Sequence, residues 1–98
     1  MRLDRRRSSI EIIADMLRLG EAAKTEIMYS VNMSYFQLQK YLNFMIEREL
    51  VDKVRLGNPS VTYRVTKKGL TLLRHIDEIL DTLNLKDDGG DEANTGVL

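Results

Sequence analysis

Apolar residues recur along this chain at a period that is helical, then extended, then helical again. In "SSIEIIADMLRLG", residues 8–20, Ile10, Ile13 and Leu17 fall on one side of a helix. Ser8 and Glu11 match the S-x-x-E capping box, and Gly20 stands where a helix ends in a left-handed residue. In "AKTEIMYSV", residues 23–31, Ile27, Met28 and Val31 mark the inner side of a shorter helix. Asn32, which tolerates positive φ, follows it. Ser34 then caps a third helix expected to run to about Glu49, with Leu38, Leu42 and Met45 on one face. Two short helices about so tight a turn predict a helix-turn-helix.

The period then drops to two. In "VDKVRLGNPSVTYRVT", residues 51–66, Val54 and Leu56 alternate before "GNPS" and Val61, Tyr63 and Val65 after it, which predicts a hairpin with Pro59 in its turn. Thr66 caps a last helix over 67–85, about 28 Å long at ~1.5 Å per residue. Leu70 and Leu73 suffice to cover the body. Leu72, Ile76, Ile79 and Leu83 follow at spacings of four, three and four, a heptad-like seam that Leu80 widens. Left bare, such a stripe would be an exposed apolar surface, so a homodimer through this helix is expected. The alternative is that the helix folds back on the first one.

The expected fold class is therefore mainly α with a β-hairpin: a winged helix-turn-helix with an extended C-terminal dimerisation helix. The expected divisions are a basic arm (1–7), the winged domain (8–66), the last helix (67–85) and a disordered acidic tail (86–98). With 98 residues, 43% of them hydrophobic, the chain bounds one small domain. Cysteine is absent, which excludes a disulfide framework and thiolate metal sites. The basic start has no apolar core of a signal peptide, and Arg74, His75, Asp77, Glu78 and Asp81 interrupt the one long apolar stretch, so a soluble cytoplasmic, nucleoid-associated protein with no membrane partner is expected.

Net charge is zero, but it is unevenly placed. Residues 1–76 carry +6 and residues 77–98 carry −6. A basic body with an acidic tail points to a polyanionic partner. At about 100° per residue, with Leu38 inward, Phe36, Lys40 and Asn43 point outward from the third helix. Gln37, Gln39 and Phe44 lie between, and Tyr35 and Tyr41 lie on the core flanks. These side chains suit double-stranded DNA. Gln and Asn bridge adenine N6 and N7, Lys meets guanine or phosphate, and an aromatic ring packs on thymine methyls. Ser34 and the first N–H groups of the helix can hold a phosphate. The candidate DNA-binding set is Ser34, Tyr35, Phe36, Gln37, Gln39, Lys40 and Asn43 on this helix and Lys24 on the one before. The wing adds Lys53, Arg55 and Asn58, and the arm adds Arg5, Arg6 and Arg7.

The blocks "TEIMYSVNMSYFQLQKYL" and "YRVTKKGLTLL", in that order about the hairpin, resemble the small archaeal winged-helix DNA-binding proteins. These include dimeric crenarchaeal chromatin proteins and predicted archaeal transcriptional regulators. The likeness rests on Thr25, Ile27, Met28, Tyr29, Asn32, Ser34 and Tyr35, then Tyr63, Thr66, Lys68 and Gly69. It implies binding to double-stranded DNA and dimerisation through the last helix, often as an antiparallel coiled coil. A shorter last helix and an acidic tail depart from that pattern.

No enzyme is expected. His75 is the only histidine, so a nucleophile or metal site built on it lacks partners, and no glycine-rich phosphate loop is present. No cofactor and no small-molecule ligand are implied. The rival reading is a winged helix that docks proteins through Phe36 and Phe44 in a transcription or assembly complex. An architectural chromatin role is a third. Gln37, Gln39, Lys40 and Asn43 include no acid, which favours nucleic acid.

Overall fold

The computed structural model describes residues 7–57 and 60–84. Helix α1 (Ser9–Arg18) opens on the expected box: Ser8 Oγ accepts from Glu11 N at 3.2 Å, and Ser8 N donates to Glu11 Oε1 at 3.0 Å. It buries Ala14, Met16 and Leu17. Ile10, expected on the inner face, is exposed, because the helix starts beyond the edge of the core it later meets.

Gly20, at φ 78, turns the chain out of α1 into a two-residue strand, β1 (Glu21–Ala22). Its carbonyl accepts from Val65 N at 2.7 Å. The apolar pattern predicts no such strand. Two residues carry no period, and the partner lies some forty residues further on.

Helix α2 (Lys24–Val31) buries Ile27 and Val31 and stops at Asn32, whose φ of 57 is left-handed. After Met33, Ser34 caps α3 (Tyr35–Glu47), with its Oγ accepting from Gln37 N at 3.1 Å. Leu38, Leu42 and Met45 are buried, as their spacing predicts. The helix closes in a Schellman arrangement: Leu50 N donates to Met45 O at 2.9 Å and Glu49 N to Ile46 O at 3.0 Å. Glu49 takes the left-handed position, with φ 61, that glycine favours.

Strand β2 (Val51–Arg55) pairs antiparallel with β3 (Val61–Val65), from Val51 opposite Val65 to Arg55 opposite Val61. β2 thus starts at Val51, where the hairpin stretch begins, but exposed Leu56, one of its alternating residues, lies past its end. β3 is the central strand, with β1 on its other edge. In register, exposed Arg64 stands between Glu21 and Asp52, so opposite charges run across the outer face. The turn at Asn58 and Pro59 lies outside the described residues.

Helix α4 (Lys67–Thr82) is capped by Thr66, whose Oγ1 accepts from Gly69 N at 3.0 Å and donates to Glu49 O at 2.6 Å. That bond ties the start of α4 to the end of α3. Gly69 is buried where a Cβ would collide with the Leu50 carbonyl and the Val65 side chain. The inner faces of α1, α2 and α3 meet the sheet in a core that includes Leu17, Val31, Leu38, Leu42, Met45, Leu50 and Tyr63.

The last helix corrects two expectations. Leu70 does not cover the body; it is exposed, and Gly69 and Leu73 are the residues that turn inward. The proposed seam is divided. Ile76 and Leu80 are buried against Ala14 of α1 in the same chain, with Leu72 partly buried beside them. Ile79 and Leu83 remain 56% and 54% exposed. Folding back on α1 and offering a surface to a partner require the same periodicity, and α4 does the first with half of the stripe.

Two backbone positions predict opposite outcomes in thermal or urea denaturation. Gly69→Ala is expected to destabilise the fold by about 2–3 kcal/mol, through forced separation of α4 from Leu50. Glu49→Gly is expected to stabilise it by up to about 1 kcal/mol, through relief of the left-handed residue.

Candidate functional site

Because Leu38, Leu42 and Met45 face the core, the opposite side of α3 must face solvent. Phe36 is 71% exposed there, and Lys40 and Asn43 are exposed beside it. Lys40 lies one turn after Phe36, with its Nζ 5.4 Å from the ring centroid. From Tyr35 to Ile46 the helix carries no acidic residue; Glu47 comes only at its end. The surface is therefore apolar and cationic, with a free amide at Asn43.

The remaining candidates on α3 are placed differently from expectation. Tyr35, expected on the core flank, is 56% exposed, and Lys24 of α2 sits over its ring at 5.4 Å. Lys24 is itself half-buried, so the pair forms one cation–aromatic unit at the mouth of the turn. Gln37 is exposed, but its Oε1 accepts from Ser34 N at 3.2 Å in the capping box. Its carbonyl is thus engaged in holding the helix start. Gln39 is half-buried, with its Oε1 enclosed and unpartnered. It is not on the outward face. At about 100° from the core direction it lies on the flank of the helix that half-buried Ile46 shares.

On the hairpin, Lys53 and Arg55 are exposed and two residues apart on β2, hence on one face of the strand. Asn58 lies outside the described residues, as do Arg5 and Arg6. Helix, three-residue turn, helix and hairpin are arranged as the sequence pattern predicts.

A family model described as winged helix-turn-helix matches residues 6–84. The chain belongs to the winged helix-turn-helix family. Two relatives come from Methanocaldococcus jannaschii. The uncharacterized protein MJ0287 is 29% identical over 84 residues, which are 83% of this chain and 81% of that protein. The uncharacterized protein MJ0290 is 30% identical over 77 residues, 76% of this chain but only 34% of that longer protein. Among solved structures, Sso10a-2, a DNA-binding protein from Sulfolobus solfataricus, superposes with a TM-score of 0.72 at 28% identity, over 80% of this chain and 83% of that one. Lactococcus lactis ZitR in complex with DNA gives a TM-score of 0.59 at 21% identity, over 96% of this chain and 72% of that one, a likeness of fold alone.

In this winged helix-turn-helix, the last arm candidate is engaged internally. Arg7 donates to Val31 O at 2.6 Å and to Asp15 at 2.9 Å. It closes the end of α2, just before the turn that sets the angle of α3. Asp15 also approaches Arg18 at 3.9 Å, and Arg18 bonds Asp77 at 2.7 Å, so alternating charges run from α2 across α1 to α4. Arg7 is a structural residue rather than a free cation. The guanidinium expected to meet phosphate is held here by the α2 carbonyl and a carboxylate.

Two features escaped the sequence reading. Tyr29 is 82% exposed on α2. Its distance of two residues from both Ile27 and Val31 already turns it outward, but spacing alone gives an outward tyrosine no role. Arg48 lies over Phe44, with its guanidinium carbon 3.7 Å from the ring centroid and Nη1 donating to Phe44 O at 3.3 Å. Phe44 is thereby covered on one side. Among the described residues no His, Asp or Glu side chains gather as metal ligands, and no helix is long and apolar enough to cross a membrane. His75 is exposed on α4 and approaches Glu78 at 3.4 Å, away from α3 in the chain and unsupported by a third group.

The engaged carbonyl of Gln37 has a measurable consequence. Gln37→Ala is expected to lower stability by about 1 kcal/mol through loss of half the capping box, whereas Gln37→Glu, which keeps an acceptor, should not. Urea midpoints of the two variants decide this.

Proposed function

We propose that this protein is a double-stranded DNA-binding regulator of transcription. Its α3 enters the major groove and the β2–β3 hairpin lies along the flanking backbone as the wing. The observation that carries the reading is the exposed outward face of α3, where Phe36, Lys40 and Asn43 stand together with no carboxylate among them. A recognition helix meets base edges with its N-terminal turns, where Phe36 and Lys40 sit, with Asn43 following in the third turn. Lys53 and Arg55 supply cations for phosphates on the wing side, and the Lys24–Tyr35 unit supplies another near the turn. The likeness to Sso10a-2, itself a DNA-binding protein, supports the reading. It includes no catalytic step and no cofactor, and it places the protein in the cytoplasm with the cell's DNA.

The regulator acts as a homodimer in this proposal, through the part of α4 that the monomer leaves open. Ile79 and Leu83 are exposed, and exposed Ile10 lies one turn before Ala14 on the α1 face that meets α4. Each half-exposed side chain contributes about 1 kcal/mol on burial, so six from two copies give roughly 6 kcal/mol. Association costs about 4–15 kcal/mol. The dimer is therefore weak alone and is completed on DNA, where two recognition helices meet a pseudo-palindromic site.

Lys40→Ala is expected to weaken binding to every duplex and to reduce the slope of log affinity against log salt by about one phosphate contact. A fluorescence-anisotropy titration at several salt concentrations measures both. An unchanged affinity and slope would remove Lys40 from the interface, and absence of binding by the wild type at low salt would overturn the proposal. For the dimer, Ile79→Asp with Leu83→Asp should leave the monomer folded and reduce the mass of the DNA complex to one chain by light scattering. Ile76→Asp is unsuited to this test, since Ile76 belongs to the monomer's own core. A wild type that binds DNA only as a single chain would refute dimerisation.

A further inference from the structure

We propose that Phe36 reads the C5-methyl group of thymine, and that methyl contact rather than amide hydrogen bonding is the main sequence signal taken by the first two turns of α3. The inference rests on the DNA-binding reading above.

Four side chains in those turns were candidates to face base edges: Phe36, Gln37, Gln39 and Lys40. A glutamine distinguishes adenine by using its carbonyl and its amino group together, one accepting from N6 and the other donating to N7. The Gln37 carbonyl is turned back on the helix start, where Oε1 accepts from Ser34 N at 3.2 Å and from Ser34 Oγ at 3.5 Å. Releasing it would break the capping box at the helix start that must meet the DNA. Gln39 is half-buried with its Oε1 enclosed, so its carbonyl is not presented to a base edge. Phe36 and Lys40 remain. Lys40 carries a point charge that phosphates and guanine acceptors both satisfy, so it discriminates little by itself. Phe36 is 71% exposed and has no hydrogen-bonding group. In the major groove the one apolar mark on an unmodified base pair is the thymine methyl. A ring that gains nothing from solvent and stands at the leading turn has that partner and no other on the base edges. Lys40, 5.4 Å from the ring centroid, keeps the cation beside it. Methyl contact and charge neutralisation therefore fall at neighbouring positions of one site. Asn43, exposed one turn further on, still has both ends of its amide for hydrogen bonding.

The test compares 30-base-pair alternating dA–dT duplexes with alternating dA–dU duplexes of the same length and charge, which differ in the methyl group. A second pair compares alternating dG–dC with its 5-methylcytosine form, which puts a methyl at the same groove position. The full chain is expected to bind dA–dT more tightly than dA–dU, by about fourfold for each methyl contacted. Methylation of cytosine should tighten binding in the same direction. Phe36→Ala should abolish both differences, while Lys40→Ala weakens all four duplexes and keeps the ratios. Circular dichroism confirms that the variants are folded; Phe36 contributes little to the core. Equal binding of dA–dT and dA–dU by the wild type, or a ratio that survives Phe36→Ala, would overturn methyl reading and leave DNA binding in place. Failure to bind any of the four at low salt would overturn the DNA-binding reading, and the methyl proposal with it. Unchanged affinity of Phe36→Ala for all four duplexes would remove the ring from the DNA interface and overturn methyl reading.

Discussion

The burial of Leu38, Leu42 and Met45 is the constraint on which the rest of the structure depends. These three residues fix the rotation of α3 about its own axis, and everything on its outer side follows from that. Rotation alone does not aim a helix, however. Its direction is set by Asn32 in the left-handed region, by the Ser34 cap at one end and by the Schellman closure on Leu50 at the other. Leu50 then serves twice more, as core and as the carbonyl against which Gly69 brings α4. Arg7 adds a clamp on the last turn of α2, from outside the helix-turn-helix itself. The outward face is thus held by the buried side of α3, by its two ends and by the clamp on α2.

Much of this was legible in the sequence because its signals are local. Capping boxes, a left-handed Asn, a serine at a helix start and helical or alternating apolar periods each involve residues within a few positions of one another. Ser8, Gly20, Asn32, Ser34 and Thr66 all mark boundaries where they were read. What escaped is non-local. β1 exists because β3 offers it an edge, and two residues cannot announce a strand. Arg7 reads as one more cation of a basic arm until the α2 carbonyl is brought within 2.6 Å of it. Ile10 obeys the helical period but lies beyond the end of its core.

The candidate site was legible in outline and not in its hydrogen bonds. Helical angles identify the outward face, and Phe36, Lys40 and Asn43 lie on it. They cannot show that a side chain of suitable chemistry is already occupied. The S-x-x-Q pattern of Ser34 and Gln37 is a capping box as much as Ser8 and Glu11 are, and the same rule applied to both would have removed one acceptor from the reading set. Tyr35 illustrates the converse. Its angle puts it near the core, but the first turn of a helix projects past the body that buries the later turns, and its ring meets Lys24 instead.

The same limit governs α4. A stripe at spacings of four and three specifies one apolar side on a helix and says nothing of which surface will cover it. Here α1 covers Ile76 and Leu80 from within the chain, and its Arg18 bonds Asp77 beside them. Only Ile79 and Leu83 are left, too little apolar area to make a strong interface by themselves. A helix that divides its stripe in this way ties the association of two copies to whatever else holds them together. In the proposed regulator, which brings one recognition helix per copy, DNA itself would be that second tether, and weak self-association would then be an advantage. It lets the half-sites, rather than the free dimer, determine where two copies remain together.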